Sequence, residues 1–275
     1  HRDLHSFPTR RSSDLHVHIA GAGGEGGPLT RTEGLRVEDM IRAGVTTVVG
    51  SLGTDGFTRS IESVLMKVKQ LRAAGVSAWM YTGSYQVPPL TLLGDVGRDI
   101  TRIDEILGAG EIAVGDHRSS CPNAAEIARI AAHARVAGLL SGKAGIVNIH
   151  IGSSSEAFRI LNDALHIAQF SSRQFWPTHC ARTREVFEDA IVWGQHGYVD
   201  ITASDEKDEH EIAPWDAAVQ MVSLGVPESR ITFTSDACGS LPRFNEQGEL
   251  IGMDYGKSDS LLYTVTQMID KHAVP

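Results

Sequence analysis

An α/β fold of the closed (β/α)8 type, a TIM barrel, is predicted by three observations. Eight short apolar runs rich in β-branched residues recur along the 275-residue chain, stretches of helical periodicity separate them, and the runs are apolar nearly throughout. Strands without a polar face belong to a parallel sheet covered on both sides, and eight strand–helix units suit a sheet that closes on itself. One such barrel takes about 250 residues, so the length requires no second domain. A doubly wound open sheet is the alternative. It is disfavoured because no G-x-G-x-x-G opens a helix after the first strand, and GAGGEGG at 21–27 has no helix pattern behind it.

The first run, LHVHI at 15–19, is followed by that glycine-rich stretch before any helix can begin. The second, VTTVVGSL at 45–52, leads to IESVLMKVKQLRAAG at 61–75. There Val64, Leu65, Val68 and Leu71 repeat at helical spacing, and Gly75 stands where a C-terminal cap is wanted. VSAWMYTGSY at 76–85 and EIAVGDH at 111–117 read as strands three and four. GIVNIHIG at 145–152, FWPTHC at 175–180, YVDITAS at 198–204 and RITFTSDA at 230–237 complete the eight. Residues 1–14, HRDLHSFPTRRSSD, show neither period, and residues 3–15 resemble the translation of a sequencing adapter. They are set aside as non-native, and the barrel is placed at 15–275.

The net charge of −9, with no stripe concentrating the 25 lysines and arginines, excludes nucleic acid as a partner. No apolar run approaches the roughly 20 residues of a spanning helix, and the first residues lack the apolar segment of a secretory signal. Neither a membrane partner nor export is therefore expected, and the cytoplasm is the simplest location. Cys121, Cys180 and Cys238 are odd in number and far apart, with no C-x-x-C, which suggests neither a disulfide framework nor a structural zinc ribbon.

In barrels of this kind the reacting groups sit at the C-terminal strand ends. Those ends carry His16 and His18, Thr54, Tyr85, residues 111–118, His150, His179 and Asp236. Residues two apart on a strand point the same way, so the His-x-His rings can reach one point. Neutral imidazoles and carboxylates are the ligands of a borderline divalent ion such as zinc. Four histidines and an aspartate exceed one tetrahedral ion, so two metals about 4 Å apart with an anionic group between them is the economical reading.

This constellation resembles the amidohydrolase superfamily, and within it the isoaspartyl dipeptidases. The resemblance runs from about Leu15 to the end, through HVHIAGAGGEGGPLTRT, AGVTTVVGSLGTDG, SAWMYTGSYQVP, GDHRSS, PTHCART, DITAS and SDACGS. It implies that His16, His18 and Asp236 hold one zinc ion and that His150 and His179 hold the other. It implies that Glu25 binds the free α-amino group of a small dipeptide, helped by Gly23 and Thr54. Arg118 and Arg182 would clamp carboxylate, Ser240 would add a hydroxyl, and Tyr85 would act as oxyanion donor. The implied reaction is hydrolysis of a β-aspartyl bond by a metal-bridging hydroxide, with Asp236 carrying the proton from water to the leaving amine.

The sequence departs from the family at one ligand. Where the resemblance implies a carbamylated lysine between the two metals, this chain has Glu111, whose carboxylate offers the same pair of oxygens at shorter reach. Lys143 precedes the fifth strand at its opposite end and cannot substitute. The resemblance also implies a homo-oligomer, and a small β-sandwich built from segments before the first strand and after the last barrel helix, both expected to be missing from this chain. Another amidohydrolase, acting on cyclic amides or N-acyl amino acids, and a non-catalytic barrel relative remain as alternatives.

Overall fold

The computed structural model describes residues 12–205, 211–245, 247 and 250–272. Residues 1–11 of the segment set aside above, and 273–275 at the far end, lie outside the described residues. Strand and helix alternate as β1 (Ser12–Val17), α1 (Val37–Arg42), β2 (Val45–Gly50), α2 (Ile61–Ala73), β3 (Ser77–Thr82) and α3 (Val96–Arg102). They continue as β4 (Ile106–Val114), α4 (Ala124–Ser141), β5 (Ile146–Ile151), α5 (Glu156–Ala168), β6 (Phe175–Thr178) and α6 (Arg184–Gly194). The chain then forms β7 (Val199–Thr202), α7 (Pro214–Ser223), β8 (Ile231–Thr234), β9 (Ser240–Phe244), β10 (Leu250–Tyr255) and α8 (Ser260–His272).

Strands β1 to β6 form one parallel sheet in sequence order, and β7 pairs with β8 in a separate parallel ladder. Single backbone bonds span the two gaps: Cys180 N–H donates to Asp200 O at 3.0 Å, and His18 N–H to Ala237 O at 2.9 Å. The expected ring of eight is thus seen as a six-stranded curled sheet and a two-stranded ladder that abut at both seams.

Consecutive strand residues pack on opposite faces. Val48, Met80 and Phe175 join the large core shared with the helices, whereas Val49, Tyr81 and Trp176 form a second cluster with Leu15, Trp79 and Ile146. Strand β5 shows how the inner face changes along its length: Ile146 is apolar, Asn148 polar and His150 a candidate ligand. Helix α2 follows its expected pattern, with Val64, Val68 and Leu71 fully buried and Ser60 accepting from Ser63 N–H at its start. Each of those side chains contributes roughly 1.5–3 kcal/mol through burial, so an aspartate at Val68 would break the packing of this helix.

Two boundaries differ from the sequence reading. Strand β1 begins at Ser12, so Asp14, which had been set aside, is fully buried and accepts from both the backbone N–H and the hydroxyl of Ser235. Strand β4 begins at Ile106, so Glu111 is the sixth residue of a nine-residue strand and not its first. The antiparallel hairpin β9–β10 was not expected at all.

Candidate metal centre and substrate pocket

His16, near the end of β1, and His18, just beyond it, place two rings 5.3 Å apart. His16 Nδ1 lies 3.1 Å from Asn148 Oδ1, which leaves Nε2 facing Glu111 Oε1 and Asp236 Oδ1, each at 3.4 Å. His18 Nε2 stands 2.9 Å from Asp236 Oδ1 and 3.7 Å from Glu111 Oε2. On the other side, Glu111 Oε1 is 2.7 Å from His150 Nδ1 and 3.5 Å from His179 Nε2. Glu111 therefore lies between the pair His16/His18 and the pair His150/His179. All six side chains are buried.

Close backbone approach shapes this cluster. A Cβ at Gly53 would fall 2.6 Å from the His18 ring, and one at Gly239 would fall 2.4 Å from Asp236 Oδ1, so both positions require glycine.

The residues fit a divalent cation. Ligands about 2.0–2.1 Å from a tetrahedral ion stand about 3.4 Å from one another, which is the spacing of most nitrogen–oxygen pairs here. His16/His18/Asp236 and His16/Glu111/His179 each bring three donor atoms within 4.8 Å. His16 Nε2, Glu111 Oε2 and Asp236 Oδ1 are buried without a hydrogen-bond partner, an expensive condition for polar atoms that serve nothing else.

The electrostatics agree. Burial works to raise Glu111, but His16, His150 and His179 hold it well below the usual carboxylate range. Asp236 is depressed in the same way by His16 and His18. Burial alone would lower His16, yet Glu111 and Asp236 push it up to about 10, so a metal ion bound at its Nε2 would displace a proton held by the two carboxylates. Burial, with Arg182 and His150, keeps His179 neutral and so able to donate a lone pair. Two ionised carboxylates in a buried nest call for positive charge.

Above the cluster, Tyr85 Oη lies 2.7 Å from His150 Nδ1, and burial followed by Glu111 holds the phenol well above its usual range, so it keeps its proton. Glu25 Oε1 accepts from Ser240 Oγ at 2.7 Å and lies 3.5 Å from Arg118 Nη1. Arg182 Nη1 is 3.3 Å from His150 Nε2. Gly23 and Thr54 lie nearby in chain order, Thr54 directly after Gly53, but among the described residues no hydrogen bond joins their side chain or backbone to these groups. The sequence reading had passed over Asp116, which joins Arg118 to His150, Asn148 and Thr202, which meet His16 and His179, and Asp200, which accepts from Thr178 beside His179. Its only signal was position: Asp116 stands two residues before Arg118, where an aspartate turns back on its own backbone.

No family model matches the chain. A crystal structure of β-aspartyl dipeptidase from the thermophilic keratin-degrading Fervidobacterium islandicum AW-1, in complex with β-Asp-Leu dipeptide, superposes with a TM-score of 0.90. The two are 44% identical, over 96% of this chain and 70% of that one. The chain belongs to the β-aspartyl dipeptidase family. A second structure of the dipeptidase from that organism gives a TM-score of 0.86 at 42% identity, covering 95% of this chain and 67% of that one. Beyond the β-aspartyl dipeptidases, the likeness is one of fold alone. The phosphotriesterase homology protein of Escherichia coli, complexed with phosphate in its active site, is 14% identical with a TM-score of 0.61, over 96% of this chain and 92% of its own.

Proposed function

We propose that this chain hydrolyses β-aspartyl dipeptides with two zinc ions, in a site at the mouth of a single closed barrel. The observation that carries the reading is the pairing of Glu25 with Arg118 above the buried cluster. A carboxylate that accepts from an ammonium, beside a guanidinium that donates to a carboxylate, suits the free α-amino and α-carboxylate groups of a residue whose side chain carries the scissile amide.

His16, His18 and Asp236 would hold one ion, His150 and His179 the other, with Glu111 shared between them. When bound, the ions supply Lewis acidity that activates water and polarises the scissile carbonyl. Glu25 takes the substrate ammonium, with Ser240 fixing its carboxylate. Arg118 and Arg182 pair with the two carboxylates of the dipeptide, and because both ends are read, a long peptide does not fit. The Asp236 carboxylate accepts a proton from the attacking water and returns it to the leaving nitrogen. The Tyr85 hydroxyl donates to the oxygen on which negative charge develops. Glycines 21–27 let the backbone pass close to the substrate.

The test is hydrolysis of β-Asp-Leu by the zinc-loaded protein, followed by amine release. Turnover of β-Asp-Leu with none of α-Asp-Leu is expected. Equal turnover of an N-acyl amino acid would shift the assignment to another amidohydrolase activity.

A further inference from the structure

Asp116 lies in the turn after β4 with its side chain 4% exposed, and its two oxygens serve two different parts of the site. Oδ1 accepts from the Arg118 backbone N–H at 2.8 Å and from Arg118 Nε at 2.9 Å. Oδ2 lies 2.9 Å from Arg118 Nη2, 3.0 Å from His150 Nε2 and 3.6 Å from Arg182 Nη1. His150 meets Glu111 through its other nitrogen, Nδ1. With a metal ion on Nδ1, as the reading above has it, the imidazole proton must sit on Nε2, where Asp116 Oδ2 accepts it, and Arg182 Nη1, 3.3 Å from that nitrogen, then pairs with the same carboxylate oxygen. The same carboxylate grips Arg118 by Nε and Nη2, leaving Nη1 to point towards Glu25.

Resting on the reading above, we propose that Asp116 is a positioning residue that couples metal holding to substrate recognition: it fixes the tautomer of His150 and the fork of Arg118 together. An asparagine cannot do both. With its oxygen turned to Arg118, its NH2 faces Nε2 and draws the imidazole proton to Nδ1, where a metal would have to bind.

Zinc affinity of the full chain, measured by competition with a chromophoric chelator, tests this without reference to turnover. Asp116→Asn is expected to weaken zinc binding about 10–100-fold, the usual effect of removing the partner of a ligating histidine. It should also raise KM for β-Asp-Leu by roughly tenfold through the loosened Arg118. Asp116→Glu, which restores the charge, should recover part of both losses. Arg118→Met should raise KM and leave zinc affinity as it was. An Asp116→Asn variant with wild-type zinc affinity overturns the proposal. If that variant does not fold, nitrogen-15 spectra of the zinc-loaded wild type decide the matter: a protonated Nε2 on His150 is expected, and a protonated Nδ1 overturns it. Should the wild type bind zinc yet fail to cleave β-Asp-Leu, the functional reading falls, while the zinc and tautomer measurements still judge Asp116.

Discussion

Glu25 Oε1 accepts a hydrogen bond from Ser240 Oγ at 2.7 Å across 215 positions of sequence. The glycine-rich loop after the first strand is thereby tied to the start of the β9–β10 hairpin that follows β8, at the rim above the buried histidines. For Glu25→Gln, KM for β-Asp-Leu is expected to rise roughly 10–100-fold, the range for losing a hydrogen bond to a charged group, with little change for N-acetylated analogues. Steady-state kinetics on both substrates check this; equal losses on the two would deny Glu25 the ammonium.

Glu111 touches both pairs of histidines, so Glu111→Gln removes an anion from each half of the cluster. Zinc affinity and turnover should fall together, the affinity by more than the 10–100-fold typical of losing a ligand's partner. Metal analysis of dialysed protein beside the activity assay is the measurement. Full zinc content at an unchanged rate would remove Glu111 from the bridge.

Tyr85→Phe deletes one donor without changing the shape of the pocket. A drop in kcat of about 10²–10³-fold with KM nearly constant is expected of an oxyanion donor. A rise in KM alone would make Tyr85 a binding residue.

Much of this site could be read from the sequence, because strand parity alone sets His16 beside His18 and puts Asn148 and His150 on one face of β5. What failed was whatever depends on how distant segments meet. Asp116 sits in a turn, and no periodicity tells which way a turn side chain points. Asp14 looked foreign among arginines and serines, yet a buried hydrogen-bond pairing with Ser235 gives it a place in the fold. The seams β6–β7 and β8–β1 depend on register between strands, which apolar runs do not encode. The hairpin β9–β10 was hidden by Pro242, since proline inside a run argues against a strand unless it lies at an edge.

Arg59 donates to the carbonyls of Ala20, Ala22 and Thr32 at 3.0, 2.6 and 3.2 Å and so holds the loop that carries Glu25. Arg59→Met should cost about 2–4 kcal/mol, because the carbonyls lose charged donors. Urea unfolding at constant m-value reads this loss. KM should rise as well, and a variant as stable as the wild type would show that the loop holds itself.

Asp200 is fully buried and accepts from Thr178, Thr232 and Thr234, and burial pushes it up to about 7 against those hydrogen bonds. A carboxyl raised above its unfolded value favours folding fully at low pH, and that contribution is lost as pH climbs from about 4 through 7. At about 1.4 kcal/mol per unit, the effect is a few kcal/mol. The Tm advantage of the wild type over Asp200→Asn should therefore shrink between pH 5 and pH 8. A constant difference would mean that Asp200 does not titrate in this range.

The bond from His18 N–H to Ala237 O joins the opening strand of the fold to the segment directly after Asp236. The ligand set is therefore divided between the two extremes of the described chain, and bringing them together must overcome the loop-closure entropy of more than 200 residues. A chain in which this seam has not closed cannot present Asp236 to His16 and His18. A cation held by His16, His18 and Asp236 would therefore tie the two sides of this seam together.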